Sequence, residues 1–117
     1  MSKRKTDIQR FKTFLKRIRG WKKVRIQDVY DTSMACYGYY RCYEHVGIIE
    51  SIKINFCYGS NEEGVLNIIF KDGKKFEFEF FYPTYEAENG TVKLYQQSLP
   101  FQGLVVTDVK KRWWSRT

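Results

Sequence analysis

The sequence predicts an α+β domain, an N-terminal amphipathic helix packed on an antiparallel meander of about five strands, and three patterns carry that expectation. Leu66, Ile68 and Phe70 alternate with polar or mixed positions, and Phe76, Phe78 and Phe80 alternate with Glu77 and Glu79, the period-two signature of a half-buried hairpin over residues 65–81. Immediately upstream, Ile52, Ile54 and Phe56 alternate with Ser51, Lys53 and Asn55 and add a strand to the same meander. Ile8, Phe11, Phe14, Leu15 and Ile18 recur at helical spacing and cover an arc of roughly 120°.

Taken in order, residues 1–6 form a short basic arm expected to be mobile in the free protein. The helix follows over 7–19, with Thr6 or Asp7 as its cap and Gly20 as a left-handed stop. Over residues 21–27, Val24 and Ile26 alternate with Lys23 and Arg25, which fits a short strand. Residues 28–43 are rich in tyrosine and interrupted by Gly38, so no regular pattern emerges there. Register fixes the hairpin turn. A two-residue Asp72-Gly73 loop would set the aromatic face of one strand against the polar face of the other. A three-residue loop, Lys71-Asp72-Gly73 with Gly73 left-handed, brings Ile68 beside Phe76 and Leu66 beside Phe78. Pro83 has no amide hydrogen for a ladder and ends that strand. Asn89-Gly90 leads into a strand over 91–96, and the stretch 99–103 leads into another over 104–109. Neither a repeat nor an interdomain linker interrupts the chain, which reads as one domain over 1–117.

Composition narrows the class of protein. A content of 43% hydrophobic and 18% aromatic residues argues against disorder, and no apolar run is long enough to span a membrane. Three cysteines without a secretory leader predict a reduced, cytoplasmic setting.

Charge is strongly segregated. Residues 1–25 hold eleven Lys or Arg against one acid, residues 26–109 hold six against twelve, and residues 110–117 add four without an acid, within a net charge of +8. Such separation predicts a polyanionic partner, or one with an acidic patch, met by the two ends of the chain. On the helix, Arg10, Lys12, Lys16, Arg17 and Arg19, flanked by Lys3, Arg4, Lys5, Lys22, Lys23 and Arg25, form a face suited to phosphates through counterion release. A membrane is a poor fit for this helix, because its apolar stripe is needed to cover the Phe-rich hairpin. In the basic tail, 110–117, Lys110, Lys111, Arg112 and Arg116 surround Trp113 and Trp114, so indoles can stack on unpaired bases while cations hold the backbone. One of these indoles could equally anchor the tail to the core.

Two further chemistries have weaker support. Arg41, Glu44 and His45, among neighbouring tyrosines, could serve a small toxin-like ribonuclease as charge stabiliser and general base, though no ribonuclease motif accompanies them. Cys36, Cys42, His45 and Cys57 could ligate zinc, but their spacing matches no finger or knuckle, and buried free thiols account for the cysteines more simply. No phosphate-cradling glycine loop or nucleophile elbow is present, and no cofactor is expected. The expected function is a non-enzymatic module that binds nucleic acid or a nucleoprotein. The alternative of a different class is a small inhibitor of a nucleic-acid-handling machine, comparable in size and charge to phage-encoded anti-CRISPR and anti-restriction proteins, an analogy of type without a shared motif.

Overall fold

A computed structural model describes residues 5–31, 40–96 and 101–109. One helix, α1 (Asp7–Ile18), precedes seven strands: β1 (Lys23–Asp31), β2 (Tyr40–Phe56), β3 (Glu63–Phe70), β4 (Lys75–Phe81), β5 (Thr84–Glu88), β6 (Thr91–Gln96) and β7 (Phe101–Asp108).

The helix begins where the cap chemistry places it. Thr6 Oγ1 accepts from the Gln9 N–H at 3.3 Å while Gln9 Oε1 accepts from the Thr6 N–H at 3.2 Å, a reciprocal pair that satisfies two orphan donors. It ends at Gly20, whose φ of 88° turns the chain toward β1. A helix of 12 residues is marginal alone and depends on packing. Ile8, Phe11, Leu15 and Ile18 are buried, and Phe14 packs partly buried against them. Burying four such side chains stabilises on the order of 6–12 kcal/mol. No helix of the described residues is long and apolar enough to cross a membrane.

The sheet is antiparallel throughout, in the order β4-β3-β2-β1-β7-β6-β5. It therefore has seven strands rather than about five, and it is not one meander. Two meanders, β1 to β4 and β5 to β7, join through the pairing of β1 with β7. The one strand with no counterpart among the segments read from the sequence is β5, which begins directly after Pro83. Six successive antiparallel steps give the two edge strands, β4 and β5, the same direction. They are joined through Tyr82-Pro83, where Tyr82 takes a φ of 47°. A second bent strand, β2, pairs with β1 through its first half and with β3 through its second, with a register shift between Ile49 and Ser51.

The hairpin register follows the expected one. Ile68 faces Phe76 and Leu66 faces Phe78. The loop holds residues 71–73, with the Phe70 N–H donating to the Lys74 carbonyl at 2.8 Å and Gly73 at a φ of 96°. Alternation then sorts the strands into buried and exposed faces, so that Phe76, Phe78 and Phe80 join Leu66, Ile68, Phe70, Ile26, Ile49, Leu94, Leu104 and the helix stripe in one core. Both edges are tied to side chains. The Tyr85 N–H donates to Asp7 Oδ2 at 2.9 Å, and the Phe81 N–H donates to Gln96 Oε1 at 2.9 Å.

Candidate nucleic-acid interface

Because the apolar stripe of α1 is buried, its cations lie outward. Lys5, Arg10, Lys16, Arg17, Arg19 and Lys23 are exposed, and Lys12 is half-buried. Among the described residues, none of Arg10, Lys12, Lys16, Arg17 and Arg19 makes an ion pair. Lys5 Nζ donates to Thr13 Oγ1 at 3.1 Å and so lies along the helix. Two further cations are partly neutralised. Lys22 Nζ is 3.1 Å from Asp108 Oδ2, and Arg25 Nε is 3.7 Å from Glu44 Oε2 on the outer face of the sheet.

Three segments converge on the C-terminal end of α1. The Gly20 N–H donates to the Ile49 carbonyl at 2.8 Å, which seats the turn after the helix on β2. From the β3 side of the same strand, the Lys71 N–H donates to the Ile48 carbonyl at 2.8 Å, which seats the β3–β4 loop at the same level. Two strand spacings, about 10 Å, separate the chains that flank β2 there. Exposed Lys71, Lys74 and Lys75 thus lie near Arg17, Arg19, Lys22 and Lys23. The third segment is the end of β7: Asp108 pairs with Val24, so the chain leaves the sheet beside Lys22 and Lys23. Residues 110–117, with Lys110, Lys111, Arg112, Trp113, Trp114 and Arg116, lie outside the described residues, as do Lys3 and Arg4.

Trp21, not singled out from the sequence, stands in the middle of this corner. Its ring is 65% exposed, its Nε1–H donates to the Arg17 carbonyl at 2.8 Å, and Lys22 Nζ lies 5.4 Å from the ring centroid. Large aromatic side chains are normally well buried. Here an indole held by its polar edge offers a flat face to solvent among cations, the combination that stacks a base while holding its phosphate. The carbonyls of Ile48 and Ile49 bring Trp21 and the loop lysines to one level of β2, and no linear pattern encodes that.

The groups considered for catalysis are split. Glu44 and His45 are consecutive in β2 and so point to opposite faces. Glu44 accepts from Gln27 Nε2 at 3.3 Å on the outer face. His45 Nε2 lies 2.7 Å from Asp72 Oδ2, and its ring meets Phe70 edge-on at 4.7 Å. Asp72 is held below the ordinary carboxylate range, first by the Lys74 backbone N–H and then by His45. This contact closes the β3–β4 loop onto β2; the Arg41 side chain lies outside the described residues.

Of the four candidate zinc ligands, only His45 and Cys57 have described side chains, and these two are far apart. Cys57 directly follows β2, twelve residues beyond His45, which at ordinary strand rise is on the order of 30–40 Å. Cys57 is exposed and free, and among the described residues no group of three potential ligands gathers. Cys36 and the Cys42 side chain lie outside the described residues.

No protein-family model, curated protein or solved structure matches this chain.

Proposed function

We propose that this protein is a non-enzymatic binding module that engages nucleic acid, alone or within a nucleoprotein, through the outer face of α1 and the corner formed by Trp21, the β3–β4 loop and the base of the C-terminal tail. One observation carries this reading: the helix cations make no ion pair among the described residues and end at an exposed indole next to Lys22, which pairs with the last residue of β7. Unpaired cations release condensed counterions on meeting phosphates, and a solvent-facing indole adds stacking on unpaired bases.

Fluorescence anisotropy of labelled single-stranded DNA, duplex DNA and RNA, from low to physiological salt, tests it. Binding is expected to weaken steeply with salt and to collapse in a variant carrying Arg10→Ala, Lys16→Ala and Arg17→Ala. Binding that is absent, or unchanged in that variant, overturns the reading. Exposed aromatics at the far end of β3 and β4 favour a second reading, a small inhibitor that meets a protein of a nucleic-acid-handling machine, since phosphate binding alone gives them no role.

A further inference from the structure

The end of the sheet opposite the β3–β4 loop has the reverse chemistry. Phe56 is 41% exposed, Phe81 54%, Tyr82 58%, and Tyr58 is fully exposed, which makes four of the six exposed large apolar side chains among the described residues. The pairing brings them to one end of the sheet, Phe56 on the core face beside Phe80 and Phe81 on the outer face. Phe56 faces Gly64, Gly64 faces Phe80 and Glu63 faces Phe81, while the Tyr82 N–H donates to the Glu62 carbonyl at 2.7 Å and the Cys57 N–H to the Glu63 carbonyl at 2.8 Å. The rings are ordered against one another, Phe56 edge-on to Phe80 at 6.1 Å and Phe81 edge-on to Tyr82 at 4.9 Å.

Two facts say what would cover this surface. The first is charge. Residues 54–70 contain no Lys or Arg and supply Glu62 and Glu63, and residues 76–92 contain none and supply Glu79, on the same outer face as Phe81. In a chain of net charge +8, this end keeps its carboxylates without a cation nearby in sequence. The second is backbone strain. Tyr82 holds a φ of 47°, uncommon for a bulky residue, at the junction of β4 and β5 where its ring and that of Phe81 are both exposed. Carboxylates interleaved with exposed ring faces are complementary to guanidinium and ammonium groups, which pair with the former and lie on the latter.

We infer that the surface formed by Tyr58, Phe81 and Tyr82 with Glu62 and Glu63 is a docking site for a cationic protein segment, one that alternates Arg or Lys with aliphatic residues. It lies about seven residues of strand, on the order of 23 Å, from the basic loop of the same hairpin, so a protein segment and a nucleic acid can be held at once. The inference stands independently of the nucleic-acid reading.

A fluorescent eight-residue peptide of alternating Arg and Leu, set against its Glu and Leu counterpart, tests it with the full chain. The cationic peptide is expected to bind and the acidic one not to. A variant with Tyr58→Ser and Phe81→Ser, which leaves charge unchanged and alters only exposed side chains, should weaken binding at least tenfold, and Glu62→Gln with Glu63→Gln should do the same. The Arg10→Ala, Lys16→Ala, Arg17→Ala variant should bind the peptide as the native protein does, while the serine variant keeps any nucleic-acid binding, so the two surfaces fail separately. Equal binding by the serine variant overturns the inference. So does sedimentation showing that copies associate and that both the serine and the helix variants abolish the association, since the occupant would then be the basic end of a second copy.

Discussion

Lys22 Nζ lies 3.1 Å from Asp108 Oδ2, so the turn after the basic helix is pinned to the last residue of β7. The pair is partly exposed, which limits its worth to about 1 kcal/mol or less. Asp108→Asn is therefore expected to lower stability in urea by no more than that. With Lys22 released toward phosphate, single-strand affinity at low salt should rise roughly two- to fivefold. A tenfold fall would instead assign the pair to positioning the tail.

Trp21 separates stacking from charge. Removing an exposed ring should leave the unfolding midpoint nearly unchanged, while loss of one stacked base costs about 1–3 kcal/mol. Trp21→Ala should thus weaken single-stranded binding by roughly five- to a hundredfold and duplex binding far less. Equal losses on both ligands would show that the indole does not stack.

The Asp72 contact has a definite pH signature. A carboxylate depressed in the folded state contributes stability above its unfolded value, near pH 4, and loses it as pH falls through the lower folded value. Native protein should therefore be more stable than Asp72→Asn at pH 6, and the two should converge in unfolding experiments at about pH 2–3. A gap that persists at that acidity would put the contribution of Asp72 in the shape of the loop and not in its charge.

Alternation along β4 can be tested residue by residue. Phe78 is fully buried and Phe81 is 54% exposed. Phe78→Ala should cost about 3–5 kcal/mol in denaturant unfolding, against less than about 1 kcal/mol for Phe81→Ala. Comparable losses would mean that the outer aromatic is already covered in the free protein.

The parts of the fold legible in the sequence are those whose determinants are local. The cap at Thr6, the stripe from Ile8 to Ile18 and the three-residue loop with its register follow from turn chemistry and period, and each has the expected place. Strand β5 is hard to read because it is a short edge strand whose residues 86–88 are all exposed, leaving Tyr85 as its one side chain packed against the core. The first half of β2 lies among tyrosines without alternation, and its continuation past Glu50 depends on a bulge that shifts the pattern. In the basic corner, the helix cations are visible as a run of charge, whereas the parts played by Trp21 and Lys71 arise from two adjacent carbonyls of a distant strand.

The pairing of β1 with β7 also sets an order of assembly. Residues 23–31 at the middle of the sheet find their second partner in residues 101–108, so no local contact can stand in for it and the entropy of closing a loop of about 70 residues precedes the gain. On the ribosome, β1 to β4 can form a sheet of their own while β5 to β7 are still missing. The apolar stripe of α1 then waits for strands not yet made, and the nascent chain is most prone to aggregate at that stage.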